Sequence, residues 1–581
     1  MKKTIVDYLE KTTQKFADKI SFADDKNQAT YAELTQHAQA LGTALIKHTE
    51  KINKPIAIYL DKTVSCIEAM LGVVYSGNFY TILDTKSPAE RIELILSTLE
   101  TEIIITSKKN EEKAKKLLNN KIELIIYEDI VNTEIDKQLI DNVKGEIIDT
   151  NPMYILFTSG STGVPKGTVV SHRAVTTYTK WAVETFNFTE KTTFGSQTPF
   201  YFSMSITDVF STIMTGATFY IIPKMYFSFP VKLVEFLNNK KVNTIYWVPS
   251  ALCIVANMGT LDITELPYLT KVLFAGEVMP TKQLNMWIKK LPHAMFANLF
   301  GPTETTDICT YYVIDRKIEN TESLPIGKHC DNCDVMVIKE DGTEARDGEE
   351  GELCVRGSFL AAGYYKNPEK TNQVFVQNPL NKAYPEVVYR TGDIVKYNEK
   401  GELIYISRKD FQIKHMGYRI ELGEIENRIN NIDGIMNCAC IYDTENSKIV
   451  LFYQGNIDEV EILNKAKEKL NKKQLEEVGT ERTQGKPINI LKSKIKYISE
   501  MLEKLNLYKQ EKITIEQKKK DLENKIQGQE QRRELIKKIS ELSEKIRIES
   551  EKVNYKNKIK EEKQDEIENL KREKEEITNI S

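Results

Sequence analysis

The segment Tyr154-Ile155-Leu156-Phe157-Thr158-Ser159-Gly160-Ser161-Thr162-Gly163-Val164-Pro165-Lys166-Gly167 has the composition of an anion cradle. An apolar run that reads as a strand feeds a loop of small hydroxylated residues and glycines. Glycine lets backbone N–H groups approach an anion closely, the Ser and Thr hydroxyls add donors, and Lys166 adds positive charge. Such a loop suits a triphosphate. It is not a Walker loop, which ends in Gly-Lys-Ser/Thr, whereas the order here is Pro165-Lys166-Gly167. A Ser/Thr/Gly-rich linker is the bland alternative, but linkers seldom follow a strand this abruptly.

The elements that must position such a loop are legible around it. From Met1 to about Lys473 short apolar runs such as Ile56-Ala57-Ile58-Tyr59-Leu60, Ile103-Ile104-Ile105-Thr106 and Lys271-Val272-Leu273-Phe274 read as buried strands. Amphipathic stretches such as Arg91-Ile92-Glu93-Leu94-Ile95-Leu96 separate them, a pattern that predicts helices packed on sheets in an α/β fold. The chain has 581 residues, enough for several domains and a large core. Its 81 Lys and Arg nearly balance 84 Asp and Glu, so global charge argues for neither nucleic acid nor membrane as a partner. No stretch approaches the roughly 20 apolar residues of a membrane helix. Lys2-Lys3 has no apolar run behind it, so no signal peptide is expected, and a reducing cytoplasm fits best. The eight cysteines lack disulfide spacing; Cys330-x-x-Cys333 is a lone pair and Cys438 and Cys440 share one strand face, which reads as structural thiols.

Near Gln474 the composition changes. Pro487 is the last proline, Gly528 is the one glycine beyond it, and Lys and Glu dominate. Leu491, Ile495, Ile498, Leu502 and Leu505 form a heptad seam that Leu535, Ile539, Leu542 and Ile546 resume. A coiled coil or helical hairpin over 491–581, bent at Gly528, is expected, with a solvated helix as the alternative. The seam admits a partner or a homodimer.

Further blocks recur in order: Leu71-Gly72-Val73 through Gly77 and Asp84 to Arg91; Ala275-Gly276-Glu277; Asn298-Leu299-Phe300-Gly301-Pro302-Thr303-Glu304; Gly351-Glu352-Leu353 with Gly363-Tyr364; Tyr389-Arg390-Thr391-Gly392-Asp393; Arg408-Lys409-Asp410; and Lys414-His415-Met416-Gly417-Tyr418-Arg419-Ile420-Glu421. With the first loop they make residues 1 to about 470 resemble the adenylate-forming (AMP-binding) superfamily, and within it the adenylation domains of nonribosomal peptide synthetases and D-alanine–carrier protein ligases. The resemblance implies a large ATP- and acyl-binding domain over 1–408, a small mobile α+β domain over 409–473 that is incomplete, a linker over 474–490, and then the helical tail.

It also implies activation of a carboxylic acid by ATP and Mg²⁺ as an acyl-AMP, then transfer to the phosphopantetheine thiol of a carrier protein. Thr158, Ser159, Gly160, Ser161, Thr162, Gly163 and Lys166 would cradle the phosphates. Glu304 would hold Mg²⁺, a hard ion suited to a carboxylate, Thr303 would touch the α-phosphate, and Gly301 would belong to the same nucleotide-binding set. Gly276, Glu277 and Asn298 would line the adenine, on which Phe300 would stack where the family usually has Tyr. Asp393 would accept the ribose hydroxyls and Arg408 would reach the ribose or phosphate. Asp410 would be the hinge, and Lys414 would face the acceptor thiol.

Two departures qualify this. Relatives that activate amino acids have Phe-Asp-x-Ser where this chain has Phe202-Ser203-Met204-Ser205, and that Asp binds the α-ammonium. Ser203 therefore points away from an ordinary α-amino acid, although Thr207 and Asp208 lie in the same pocket segment and Asp208 offers a shifted carboxylate. The family's late Pro-x-x-x-x-Gly-Lys segment is also missing after Lys473; Gly485-Lys486 is the nearest match. Alternatives thus stay open: an acyl-CoA ligase, or a catalytically impaired nucleotide-binding scaffold with a coiled-coil partner module.

Overall fold

The computed structural model describes residues 4–409 except 50, 119–121, 160–163 and 321, then 412–415, 418–422, 425, 429, 435–443 and 448–455, with 542, 543 and 545 in the tail. The chain divides into two units, Met1–Leu475 and Glu476–Ser581. In the second, the three described residues are helical. The expected linker lies outside the described residues, as does the coiled coil apart from those three.

The first unit is α/β and holds three main sheets. A seven-stranded sheet has the order Gly363–Tyr364, Lys166–Ser171, Pro152–Thr158, Phe79–Ile82, Pro55–Tyr59, Ile103–Thr106, Glu123–Ile126. From Pro152–Thr158 onward its strands are parallel. Three of these, Pro55–Tyr59, Phe79–Ile82 and Ile103–Thr106, are buried at every residue. That is why they read as unbroken apolar runs rather than as alternating ones.

A nine-stranded sheet contains the parallel neighbours Thr193–Ser196, Thr244–Trp247, Lys271–Ala275 and Met295–Phe300. Their carboxyl ends share one edge, where the turns of a parallel sheet commonly gather ligand-binding residues. A five-stranded antiparallel sheet carries Val387–Tyr397 paired with Leu403–Arg408. One apolar core draws side chains from both larger sheets, and a second cluster packs Ala57, Ile104 and Ile155 against Leu96 and Leu99.

Helices Tyr31–Thr49 and Val64–Tyr75 cross closely. A Cβ on Gly72 would lie 2.5 Å from the Cβ of Leu41, and one on Gly42 would lie 2.6 Å from that of Tyr75. Gly72, part of the earliest recurring block, is thus required by helix packing and not by chemistry. Beyond residue 409 the strands Gln412–His415 and Tyr418–Glu421 form one hairpin, and Ile435–Asp443 and Lys448–Gly455 form another. Cys66, Cys253, Cys309, Cys330, Cys333, Cys354 and Cys440 are free thiols. Among the described residues no helix is long and apolar enough to cross a membrane.

Candidate active site

The phosphate loop closes a hairpin. Strands Pro152–Thr158 and Lys166–Ser171 pair antiparallel with Thr158 opposite Lys166, so the loop's cation returns beside its first hydroxyl. Ser159 is buried, and the Thr158 hydroxyl is buried with no hydrogen-bond partner among the described residues. Gly160, Ser161, Thr162 and Gly163 lie outside the described residues.

Lys166 meets a carboxylate from the other large sheet. Strand Met295–Phe300 ends in Gly301-Pro302, and the short 3-10 turn Thr303–Thr305 follows. Glu304 in that turn is fully buried. Its Oε1 accepts the Tyr364 hydroxyl at 2.6 Å and lies 3.6 Å from Lys166 Nζ. The Lys166 ammonium is 3.3 Å from the Tyr364 hydroxyl and 4.9 Å from the centre of its ring. A carboxylate withdrawn from water needs such pairing and hydrogen bonding. Tyr364 stands on the edge strand next to Lys166–Ser171, and the sequence reading assigned it no role. A Cβ on Gly301 would fall 2.4 Å from Asp307 O and 2.5 Å from Ile308 Cα, so glycine is needed for the chain to double back there.

A second group surrounds Asp393. Strand pairing sets Asp393 directly opposite Arg408, whose Nη1 donates to Oδ1 at 2.9 Å. Asp393 is fully buried and its Oδ2 has no partner among the described residues. The Phe300 ring lies 5.9 Å from that of Tyr405 on the Arg408 strand. Asn298 is buried and donates to Pro325 O at 2.8 Å. Gly276 and Glu277 follow strand Lys271–Ala275, and the Glu277 carboxylate accepts Ser250 N at 2.8 Å in the first turn of helix Pro249–Asn257.

The third group adjoins the first through Thr303. Its hydroxyl donates to Ser203 Oγ at 3.4 Å. Ser203 also lies close enough to the carboxyl of Asp307, a residue no sequence pattern singles out, to help hold its pKa down. Asp307 Oδ2 accepts Thr207 Oγ1 at 2.7 Å, the Tyr178 hydroxyl at 3.0 Å and the Tyr246 hydroxyl at 3.2 Å. Burial pushes the Asp307 carboxyl up to about 6, and these hydroxyls hold it from going higher. Asp208 is also buried and faces the Lys62 ammonium, which donates to Ser196 O and Oγ at 3.1 Å each. Burial pushes the Asp208 carboxyl up and the Lys62 amine down, and each charge partly restores the other. Phe202 packs edge-on against Tyr201.

Lys166 with Glu304 and Thr303 with Ser203 therefore run together, Thr207 bonds Asp307 beside them, and Asp393 with Arg408 forms another cluster. Lys414 lies in strand Gln412–His415 opposite Arg419. Asp410 lies outside the described residues, as does Lys486. No local pattern marks Tyr178, Tyr246, Lys62 or Asp307; pairing across the fold alone assembles them.

Comparison with known proteins agrees with this geometry. The profile of the AMP-binding enzyme family matches residues 9–365. A D-alanine–D-alanyl carrier protein ligase of Bacillus cytotoxicus is 30% identical over 455 residues, covering 78% of this chain and 86% of the relative. One from Bacillus cereus is 31% identical with the same coverage. Among solved structures, NpsA-ThdA, an artificially fused adenylation–PCP di-domain from Klebsiella oxytoca, aligns with a TM-score of 0.71 at 19% identity, covering 81% of this chain and 92% of that one. IdnL1 aligns with a TM-score of 0.71 at 22% identity, covering 82% and 97%. The chain belongs to the AMP-binding enzyme family and is an adenylate-forming ligase.

Proposed function

We propose that this ligase condenses a carboxylic acid with ATP to give acyl-AMP and pyrophosphate, and then passes the acyl group to the phosphopantetheine thiol of a carrier protein. In the first step a carboxylate oxygen attacks the α-phosphorus, and its bond to the pyrophosphate oxygen breaks. In the second the thiol sulfur attacks the acyl carbon, losing its proton, and AMP leaves. The observation that carries this reading is the convergence of Lys166, Tyr364 and Glu304 from two sheets beside the phosphate loop.

The residues present fit the partners this chemistry needs. Glu304 offers a buried hard oxygen, and Mg²⁺ held there would supply charge to offset that gathering on the phosphates. Lys166 would neutralise phosphate oxygens while Tyr364 fixes the Glu304 carboxylate. The free Thr158 hydroxyl suits a phosphate oxygen, and Ser159 through Gly163 would complete the cradle. The unpartnered Asp393 Oδ2 suits a ribose hydroxyl, which needs an acceptor, with Arg408 orienting the carboxylate. Gly276, Asn298 and Phe300 would border the adenine. Glu277 would act there through its turn, because its carboxylate is engaged by Ser250.

A carrier thiol is favoured over coenzyme A because the curated relatives named above are carrier protein ligases. Lys414 and the hinge at Asp410 would then serve the thiol-facing state. The coiled-coil reading of the tail, with a partner or a second copy along its seam, belongs to the same proposal. The test is thioester formation by the intact chain, with ATP, Mg²⁺ and a panel of acids, on a pantetheinylated carrier or on coenzyme A. Acyl transfer to the carrier is expected. Transfer to coenzyme A alone would refute the acceptor assignment.

A further inference from the structure

Six acidic side chains are buried among the described residues: Glu68, Asp208, Glu304, Asp307, Glu352 and Asp393. Four of them form an ion pair, with His37, Lys166, Arg390 and Arg408, and a fifth, Asp208, feels the Lys62 ammonium from beyond ion-pair distance. Asp307 is the exception. Three hydroxyls bond its Oδ2, the Ser203 hydroxyl lies near it, and no Lys, Arg or His forms an ion pair with it among the described residues. Lys62 acts electrostatically on Asp208, so the two carboxyls have one nearby amine between them among the groups described around them. A buried carboxylate that hydroxyls alone support is costlier to keep ionised than one with a cation beside it.

The fold goes out of its way to hold Asp307 there. Thr306 before it adopts φ +69°, a conformation a β-branched residue rarely takes. The Thr306 hydroxyl is tied to Phe359 O at 2.8 Å, which stabilises the kink. The placement is also informative. Ser203 accepts the Thr303 hydroxyl and lies near Asp307, so the carboxylate sits about one side chain beyond the residue proposed to meet the α-phosphate. Of the residues expected to form the acyl pocket, Thr207 bonds it and Ser203 lies near it.

We propose that Asp307 anchors a positively charged amino group on the acid substrate, in place of the carboxylate that Ser203 has replaced. The substrate class is then an ammonium-bearing carboxylic acid. This rests on the adenylate-forming reading of the site above. The bound ammonium supplies the missing countercharge, and the hydroxyls of Tyr178, Tyr246 and Thr207 fix the carboxylate to receive it. Ser203 on its own argued against an ordinary α-amino acid. Asp307 restores a charge partner from a different element, displaced from the family's usual position.

The test uses stable acyl-AMP mimics and needs no turnover. The intact chain is titrated calorimetrically with two matched pairs of 5′-O-(N-acylsulfamoyl)adenosines, alanyl against propionyl and 3-aminobutanoyl against butanoyl. In at least one pair the amine-bearing member is expected to bind on the order of 10- to 100-fold more tightly, the range for a charged hydrogen-bonded contact. Asp307→Asn is expected to abolish that preference, bringing the ratio of the two Kd values close to one, a loss of selectivity that a purely structural role would not produce. Asp307→Ser provides the same readout where the Asn variant does not fold. Equal or better binding of the amine-free member in both pairs overturns the proposal while the adenylate-forming reading stands. So does a preference that survives both substitutions. Failure of all four compounds to bind the wild-type chain would contradict the adenylate-forming reading, and this inference with it.

Discussion

The proposed nucleotide side and acyl side of the site are built from the same material, buried carboxylates, drawn from the turn after a parallel strand, from a helix and from an inner strand of a sheet. They differ in how charge is settled. On the nucleotide side Glu304 has Lys166 and Asp393 has Arg408, so both carboxylates are neutralised within the protein. On the acyl side Lys62 acts on Asp208 from beyond ion-pair distance, and among the described residues Asp307 bonds hydroxyls and forms no ion pair. In the proposed reading the first half takes the nucleotide, and the second half's charge selects an ammonium-bearing acid.

The largest expected effect tests the nucleotide side. Glu304→Gln keeps the shape and removes the charge, and is expected to lower acid-dependent ATP–pyrophosphate exchange on the order of 10²- to 10³-fold, as loss of a preorganised charge at a reacting phosphate does. Steady-state exchange at saturating ATP and acid reads this directly. Next come paired variants that separate the two sides. Asp393→Asn is expected to raise the KM for ATP roughly 10- to 100-fold with the KM for the acid unchanged. Asp307→Asn should raise the KM for the amino acid by a similar factor and leave that for ATP alone. Parallel shifts in both constants from either variant would dissolve the comparison.

A pH profile comes third. The ionised Asp307 carboxylate is the binding form, and its group titrates at about 6. As pH falls through 6 the carboxylate gains a proton, so kcat/KM for the acid should fall, roughly tenfold by pH 5. Tyr178, Tyr246 and Cys330 also face this group, but burial pushes each of them well above its ordinary value. Asp208 with Lys62 is the other titrating neighbour, so a limb that survives in Asp307→Asn would belong to that pair instead. The smallest effect is expected from Tyr364→Phe, which deletes one hydrogen bond to Glu304 and should slow exchange only a few-fold.

The same contrast explains what the sequence could show. Strand-then-turn blocks on the nucleotide side are legible because the backbone itself demands them: only glycine fits at 301, where a Cβ would meet Asp307 O at 2.4 Å. The apolar strands were legible for a related reason, since burial on both faces leaves no alternation to misread. Asp307 was not legible, because a single Asp after two threonines carries no pattern, and its partners come from positions 178, 203, 207 and 246. Asp208 stood out in the sequence only by lying close to Ser203, and the fold faces it with Lys62 from a turn more than a hundred residues earlier. Glu277 lies in the expected turn, while its carboxylate serves the helix beginning at Pro249.

The most direct measurement is ATP–pyrophosphate exchange by the intact 581-residue chain across amino acids and their amine-free counterparts, with Mg²⁺ present. Exchange that depends on added acid is expected, is strongest for an ammonium-bearing acid, and is lost in Glu304→Gln. A chain that binds ATP yet shows no acid-dependent exchange with any member of the panel would contradict the claim that this site forms acyl-AMP.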